Sequence, residues 1–169
     1  MSLLIINTTA ENDLETQNAI SKLTEKADKY KIINTSELNI SHCIGCNTCM
    51  IESPGVCCLN DDYKGIAEEF FLYDSIIFIC NTSLNFLDSE TIKIFERRFP
   101  FVIVYSEFRD GKIRHPSRYE KIFRIGILYK QHINSLMINQ WLDLYVNHFS
   151  DESIGAFHIS EVEEVCKCI

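Results

Sequence analysis

The chain has 169 residues, 46% of them apolar, which is enough to bury one hydrophobic core, so we expect a single domain over residues 1–169. Its net charge of −8 argues against general nucleic-acid binding. The N-terminal MSLLIINTT has neither the basic segment nor the long apolar run of a secretory signal or a membrane span, so we expect a cytoplasmic protein without a membrane partner.

The first part of the chain alternates short apolar runs with an amphipathic segment. Residues 3–6 (LLII) predict a buried strand, and the polar NTT after them predicts a loop. Apolar residues at helical spacing predict a helix over residues 14–30, and KIINT at 31–35 predicts a second strand. A cysteine-rich loop follows at residues 42–60.

The rest of the chain continues this alternation. SIIFIC at residues 75–80 is the clearest predicted strand, because a run rich in Ile and Phe is bounded by turn formers. The other expected elements are a helix opened by Asp61 and Asp62, a helix over 89–98, an inserted basic hairpin around RDGK within about 101–120, a strand over 121–130, a helix over 135–149 and a strand over 153–160. Strands separated by helices need crossover connections, so the pattern predicts an α/β fold: a three-layer sandwich with a five-stranded, mostly parallel sheet.

Two features indicate where a ligand would bind. Open parallel sheets bind ligands beyond the carboxyl ends of their strands, so we expect a site in the loops after the first, third and fourth strands, and the cysteine loop opens on the same edge. The charge is also uneven, since residues 97–124 hold eight Lys or Arg against three acidic residues. This basic segment is either a solvated hairpin or a platform for an anionic ligand or an acidic partner.

Five of the eight cysteines fall within HCIGCNTCMIESPGVCC, residues 42–58. The spacing is typical of a one-loop cradle for an iron–sulfur cluster, with candidate ligands Cys43, Cys46, Cys49 and either Cys57 or Cys58. Gly45 permits a tight turn between the first two, and Pro54-Gly55 predicts a turn that returns the fourth ligand.

Three other interpretations of this loop remain open. Zinc matches less well, because zinc normally takes two separated pairs of ligands. A C-x-x-C pair lowers a thiol pKa, so dithiol exchange through Cys43 and Cys46, or through Cys46 and Cys49, is a second alternative. Inert buried thiols would leave five cysteines in a polar loop unexplained. A reducing cytoplasm favours metal binding or redox chemistry over structural disulfides.

The other cysteines and the five histidines carry weaker signals. Cys80 ends an apolar strand and is expected in the core. Cys166 and Cys168 lie in the acidic EVEEVCKCI, for which we expect a frayed terminus, although a C-x-C could bind a metal or pair with a partner. The histidines lack metal-binding spacing, but His42 flanks Cys43 and could raise the potential of a cluster by hydrogen bonding.

The order of these motifs is similar to that of a known family. The loop after the first strand, CIGCNTC, PGVC, the Asp61-Asp62 pair and SIIFIC resemble the flavodoxin-like NAD(P)H-dependent FMN reductases, in particular their iron–sulfur flavoprotein branch. The likeness covers residues 1–130 in the order of elements, and only the cysteine stretch is specific. It implies a flavodoxin-like fold, a homo-oligomer, and FMN that takes a hydride from NAD(P)H and passes electrons singly to a [4Fe-4S] cluster. The cluster ligands that it implies are Cys43, Cys46, Cys49 and Cys57.

The resemblance also places the flavin. It implies that the phosphate is held after the first strand, at a helix N-terminus that favours an anion, by Thr8, Thr9, Asn12 and Thr16. It implies that residues 81–88 line the ring, with candidate contacts Asn81, Thr82, Ser83, Leu84 and Phe86. The family carries a Gly-Ser-Pro-Arg type of loop at the first place and Pro-x-Tyr at the second, and neither occurs here. The alternative function is therefore a flavin-free relative, acting as a metal- or cluster-binding partner of a redox protein or as a dithiol redox protein.

Overall fold

The structure is a computed structural model that describes residues 1–9, 13–109 and 111–169. Its strands are β1 Ser2–Asn7, β2 Lys29–Asn34, β3 Ser75–Cys80, β4 Thr82–Ser83, β5 Phe86–Leu87, β6 Glu107–Arg109, β7 Lys112–Arg114, β8 Arg124–Tyr129 and β9 Glu152–His158. Its helices are α1 Leu14–Lys26, α2 Thr48–Ile51, α3 Tyr63–Phe70, α4 Ser89–Glu96, α5 Ser135–Phe149 and α6 Val162–Cys168. Short 3-10 turns cover Thr35–Glu37, Phe99–Phe101 and Ile159–Glu161.

Five strands form one sheet in the order β2-β1-β3-β8-β9, and every neighbouring pair is parallel. The chain begins inside the sheet, moves to one edge and returns to build the other, which is the flavodoxin-like order. The central β3 is buried along its whole length, which explains its uninterrupted apolar sequence. The predicted α/β class and the five-stranded sheet are confirmed, and the sheet is entirely parallel.

Alternate residues of the central strands face two helix layers. Leu3 and Ile5 of β1 pack with α1 and α6, whereas Leu4 and Ile6 pack with α3, α4 and α5. The second layer is rich in aromatic rings, many of them in edge-on or stacked contact. The two layers hold the carboxyl ends of all five strands, and the loops that follow them, along one edge.

Most predicted elements lie within a few residues of their expected bounds, and β3 and α5 have the predicted bounds. The helix predicted over 14–30 ends at Lys26, because the N–H groups of Asp28 and Lys29 donate to Met1 O and start the pairing of β2 with β1. β6 and β7 pair antiparallel, which confirms the inserted hairpin. Within the described residues there is no helix both long enough and apolar enough to span a membrane.

The prediction of a frayed C-terminus is wrong. Residues of that segment form α6, in which Val162, Val165 and Cys166 are at most 8% exposed and pack against α1. Their spacing of three and four residues produces an apolar stripe on one face of the helix. The acidic residues between them occupy the solvent-facing side.

The basic segment is not uniformly solvated, so its interpretation as a solvated hairpin holds only in part, and a platform for an anionic ligand or acidic partner stays a prediction. Arg97, Arg98 and Arg114 are at most 7% exposed. Arg98 Nη2 donates to Asp151 Oδ2 at 2.5 Å, and the guanidinium lies within 5.5 Å of five aromatic ring centroids. Arg114 Nη1 donates to Asn147 O at 2.7 Å. These cations hold the layer of α3, α4 and α5 together.

Candidate functional site at the carboxyl edge of the sheet

A buried ion pair joins the two ends of the cysteine-rich loop. Arg97 donates two hydrogen bonds to the carboxylate of Asp61, at 2.8 and 3.0 Å, and a third to Ser41 O at 2.8 Å. Ser41 N donates in turn to Asp61 Oδ2 at 2.9 Å. Bidentate pairing of this kind fixes geometry as well as charge, so the loop is closed at its base.

The acidic pair before α3 serves this loop more than the helix. The carboxylate of Asp62, the residue before α3, accepts from Asn39 N at 2.7 Å instead of capping the helix. The carboxylate of Asp61 accepts from Tyr63 N at 3.3 Å in addition to its bonds with Arg97. The helix therefore begins where it was predicted to begin, but the carboxylates of Asp61 and Asp62 mainly hydrogen-bond to the residues that precede the cysteine loop and to Arg97.

His42 fixes the start of the thiol-bearing stretch to α4. Its Nδ1 lies 2.6 Å from Glu96 Oε1, and its Nε2 lies 2.9 Å from Ser89 Oγ. The same Glu96 oxygen accepts from Cys43 N at 3.0 Å. His42 thus positions the backbone of Cys43, while its influence on the potential of a cluster stays a prediction.

All five cysteines of the loop line one small cavity of about 120 Å³, which we call the cysteine cavity. Its other lining residues are Ile44, Gly45, Asn47, Leu59 and Phe99. Gly45 and Asn47 have positive φ angles of 67° and 58°, and they turn the backbone between the first three cysteines. The Sγ atoms of Cys46 and Cys58 are 3.3 Å apart. All eight cysteines lie in the described residues and are free thiols.

The thiols of the cysteine cavity differ in burial and pKa. Cys49 is 8% exposed, and burial, followed by the charges of the neighbouring thiols, raises its pKa to about 11. Cys46 is exposed, and hydrogen bonds with Thr48 and then with Cys58 lower its pKa. The hydrogen bond with Cys46, followed by burial, raises the pKa of Cys58. Among these three thiols, proton loss therefore begins at Cys46.

In the part of the chain that the structure describes, no group of three or more cysteine, histidine or acidic side chains is arranged to hold a metal ion. As arranged, the described side chains therefore support neither a zinc site, which needs four ligands around one ion, nor an iron–sulfur cluster. An iron–sulfur cluster makes a different demand, because each thiolate binds a separate iron of a larger centre. The loop has cysteines enough for such a group, and both candidates for the fourth ligand line the cavity.

The described threonines of the predicted phosphate site are buried, and their hydroxyls bond within the chain. The contacts are Thr8 Oγ1 to Ile79 O at 3.2 Å and to Thr91 Oγ1 at 2.8 Å, and Thr9 Oγ1 to Asn7 Oδ1 at 2.7 Å and to Thr16 Oγ1 at 3.1 Å. Asn12, the remaining predicted phosphate ligand, lies outside the described residues. These hydroxyls are already oriented by protein groups.

The N-terminus of α1 is occupied by the side chain of Asp13. Its Oδ1 accepts from Glu15 N at 3.0 Å and from Thr16 N at 3.3 Å, and its Oδ2 pairs with Lys130 from the loop after β8. These N–H groups are the ones that a phosphate at this helix would use. A carboxylate already in place, with Glu15 beside it, opposes a second anion. As arranged, the described residues do not fit the phosphate of FMN.

The predicted ring-lining loop forms a small hairpin of β4 and β5, with Leu84 and Asn85 at positive φ in its turn. Gln131, also from the loop after β8, fastens it. Its Oε1 accepts from Thr82 N at 2.5 Å and from Thr82 Oγ1 at 3.0 Å, and its Nε2 donates to Asn81 Oδ1 at 3.2 Å. The polar groups of this loop are therefore bonded to the neighbouring loop.

The remaining ring-contact candidates are divided between core and solvent. Phe86 packs edge-on against Trp141, with 5.3 Å between ring centroids. Ser83 is exposed, and Leu84 is 96% exposed at the tip of the hairpin. The structure thus brings together the five loop cysteines, but it does not gather the candidates for ring contact on one face.

Three residues that build this edge were not found by sequence reasoning: Glu96, Lys130 and Gln131. Each is far along the chain from its partner, and a single Glu, Lys or Gln is an ordinary surface residue. The sequence did contain a sign that Arg97 is buried. Arg97 and Arg98 are adjacent at the end of an amphipathic helix, so they point in different directions and at least one must meet the core, where a cation needs a paired acid.

A scan against protein-family models found no match, and a search of curated proteins found none. Solved structures of similar fold include RosB with a bound 8-demethyl-8-formylriboflavin-5'-phosphate intermediate (13% identity, TM-score 0.64, 94% of this chain and 64% of that one), a flavone reductase (14%, 0.60, 99% and 59%) and an NAD(P)H:quinone oxidoreductase from Methanothermobacter marburgensis (10%, 0.64, 99% and 95%). The chain spans less than two thirds of the first two proteins. At these identities the likeness shows the fold, that of flavodoxin-like reductases.

Proposed function

We propose that this chain is a redox protein on the fold of NAD(P)H-dependent FMN and quinone reductases, and that an iron–sulfur cluster bound by the cysteine loop is its electron carrier. Cys43, Cys46 and Cys49 supply three ligands, and Cys57 or Cys58 supplies the fourth. One observation carries the proposal: five cysteines from one loop line a single cavity at the edge of the sheet where ligands of this fold bind.

The chain's own residues suit this role. The Arg97–Asp61 pair and the bonds of His42 and Glu96 hold the loop at its base and at its first cysteine. Cys49 forms the buried back of the cavity, whereas Cys46 and Cys58 are exposed at its mouth. When bound, a cluster would supply reversible one-electron transfer. Exposed ligands at the mouth favour exchange with a partner protein.

The flavin belongs to that partner in this proposal. Asp13 and the bonded threonines leave the described part of the β1 loop without a phosphate site, so no step is assigned to FMN within this chain. The partner is a flavoprotein that takes electrons from NAD(P)H, in the reducing cytoplasm. An oligomer of this chain would also bring several cysteine loops together.

A dithiol is the second candidate, and the 3.3 Å separation of the Cys46 and Cys58 sulfurs favours it. The Cys46 thiolate would attack the disulfide of an oxidised substrate, and Cys58 would then displace the substrate thiol. The products are a Cys46–Cys58 disulfide and a reduced dithiol substrate, so two electrons pass to the substrate.

The test is to quantify iron, acid-labile sulfide and FMN in one preparation purified without oxygen. We expect iron and sulfide in equal amounts, at about four per chain for a [4Fe-4S] centre, and FMN below a tenth per chain. A stoichiometric FMN would contradict the assignment of the flavin to a partner. A chain with neither iron nor sulfide would contradict the cluster and leave the dithiol. Comparing iron in Cys57→Ser and Cys58→Ser then identifies the fourth ligand.

A further inference from the structure

A second cavity, larger than the first, shares a wall with the cysteine cavity. It has a volume of about 460 Å³ and lies between α3, the end of the cysteine loop and the 3-10 turn at Phe99–Phe101. Cys57, Cys58 and Leu59 border both cavities. Its other walls are formed by Val56, Tyr63, Ala67, Phe71, Phe101 and Tyr119, among others. We call it the aromatic cavity.

We infer that the aromatic cavity binds a planar, uncharged aromatic molecule that carries a hydrogen-bond-accepting oxygen. The volume is within the range of pockets that enclose small organic ligands, roughly 300–1,000 Å³. Four of its lining residues are aromatic, and Phe71 lies 4.6 Å from Tyr119 and 4.9 Å from Phe101 between ring centroids. Rings in this arrangement offer edges and faces to a flat aromatic guest.

Two buried donors explain the accepting oxygen. Tyr63 and Arg97 are 1% and 2% exposed and line the aromatic cavity. Among the described residues, neither Tyr63 Oη nor Arg97 Nε has a hydrogen-bond partner. Buried polar groups are nearly always satisfied, so an orphaned donor at a cavity indicates a missing ligand or water. Both atoms are sealed from solvent, so a small shift of either side chain on binding would let an oxygen on the guest accept from it.

The charge balance explains why the guest is neutral. The guanidinium of Arg97 is already compensated by the bidentate carboxylate of Asp61, and it lies over the ring of Tyr63 at 4.7 Å. Lys64 and Glu68 also line the cavity and are exposed, and their charges sum to zero. With Arg97 paired to Asp61, the site carries no net positive charge, so the desolvation of an anionic guest would be uncompensated.

The shared wall couples this site to the thiols. Gly55 begins the segment that separates the cavities, with φ at 87°, and a Cβ there would approach Tyr119 Oη to 3.0 Å. The segment therefore lies directly against the aromatic wall. A guest in the aromatic cavity would contact the far side of Cys57 and Cys58 and change their accessibility.

The test is calorimetric titration of the full chain with 2-naphthol, compared with its saturated analogue decahydro-2-naphthol and with the anion 2-naphthalenesulfonate. We expect saturable 1:1 binding of 2-naphthol, and binding at least tenfold weaker for the other two. Equal binding of all three compounds would overturn the inference, because it would indicate non-specific binding to apolar surface.

Variants locate the site. Ala67→Phe, which fills the cavity from α3, should weaken binding at least tenfold, and Tyr63→Phe should weaken it several-fold. The matched control is Tyr73→Phe, a buried tyrosine on the same side of the sheet that does not line the cavity. Unchanged affinity for 2-naphthol in the folded variants would overturn the inference. Two variants are used so that one still gives an answer if the other fails to fold.

The coupling has its own readout. In the iron-free, reduced chain, bound 2-naphthol should slow iodoacetamide labelling of Cys58 several-fold and leave exposed Cys168 unchanged, as measured by peptide mass spectrometry. Equal slowing of labelling at Cys58 and Cys168, or no slowing at either, would contradict coupling of the aromatic cavity to Cys58. The titration does not depend on iron, so a chain that binds iron but not 2-naphthol removes this inference alone. A chain that binds 2-naphthol but contains no iron removes only the proposed cluster.

Discussion

The cysteine loop and the loops after β1, β3 and β8 lie on the same edge of the sheet, but they treat their polar groups differently. In the loops after β1, β3 and β8, threonine hydroxyls, the N-terminus of α1 and amide groups are hydrogen-bonded to other parts of the chain. In the cysteine loop, all five cysteines line a cavity, and the sulfurs of Cys46 and Cys58 are in contact.

This difference indicates which half of the edge retains a binding role. Groups that satisfy one another gain nothing further from a ligand, which must compete with bonds already made. Thiols are weaker hydrogen-bonding groups, so the bonds of Cys46 with Thr48 and Cys58 compete less with a ligand. The closeness of the thiols is also unfavourable once they ionise. The comparison therefore favours the cysteine side as the functional half of the edge.

The largest effect expected is the loss of iron from Cys46→Ser. If four thiolates hold a cluster, removal of one should lower bound iron at least tenfold, measured on protein purified without oxygen. Cys46 is exposed, so the free energy of unfolding should change by less than about 0.5 kcal/mol. Cys168→Ser, at another exposed cysteine, is the control and should keep its iron. Retention of iron by Cys46→Ser would remove this ligand.

The next effect concerns the base of the loop. Asp61→Asn leaves the 2%-exposed Arg97 without its compensating charge, so we expect a loss of about 3 kcal/mol in the free energy of unfolding. Urea titration would measure it, and Asp62→Asn, at the neighbouring exposed carboxylate, should cost less than about 1 kcal/mol. Equal losses in the two variants would show that the pair does not matter.

The same carboxylate predicts a pH dependence. Burial raises the pKa of Asp61, but hydrogen bonds from Arg97 and from Ser41 N outweigh it and hold the pKa below its ordinary value. Stability from a group with a depressed pKa is present above the unfolded value, about 3.9, and is lost as the pH falls through the folded value. The stability difference between wild type and Asp61→Asn should therefore shrink below about pH 4. A constant difference down to pH 2 would contradict this.

A smaller effect separates the thiols of the iron-free chain. At about pH 8, Cys46, with its lowered pKa, should react with iodoacetamide about tenfold or more faster than Cys49, whose pKa is raised to about 11. The greater thiolate fraction of Cys46 outweighs the lower intrinsic reactivity of a low-pKa thiolate. Timed labelling with peptide mass spectrometry measures both, with Cys168 as the exposed reference. Similar rates for both thiols would mean that the cavity does not shield Cys49.

The smallest effect tests the other half of the edge. Asp13→Asn keeps an N-cap side chain but removes the charge at the N-terminus of α1. Removing this carboxylate also frees Lys130, its ion-pair partner, for a phosphate, so we expect a gain of about 1 kcal/mol, or about fivefold in the affinity for FMN. Asp88→Asn, at the equivalent cap of α4, is the control and should leave FMN affinity unchanged. If Asp13→Asn has no effect, its carboxylate is not what opposes the phosphate.

The cysteine cavity could be predicted in part because its parts are close in sequence. Five cysteines within seventeen residues must lie near one another, and Gly45 indicates the turn between the first two. The aromatic cavity could not be predicted, since Tyr63, Arg97 and Tyr119 come from three segments and look like ordinary core residues. The threonines after β1 suggested a phosphate site, but only the structure shows that their hydroxyls bond to Asn7, Ile79 and Thr91.

The sequence by itself determined the layers and the place of the thiols. Hydrophobic periodicity reports which face of each element is buried, and that local signal is enough to order strands and helices along the chain. Tertiary structure decided which polar groups remain available. Asp13 pairs with Lys130, and Asp61 pairs with Arg97, across distances in sequence that no local pattern encodes. Hydrogen bonds and charge pairs depend on which segments meet in space. The difference between the cysteine loop and the loops after β1, β3 and β8 therefore arises only once the chain has folded.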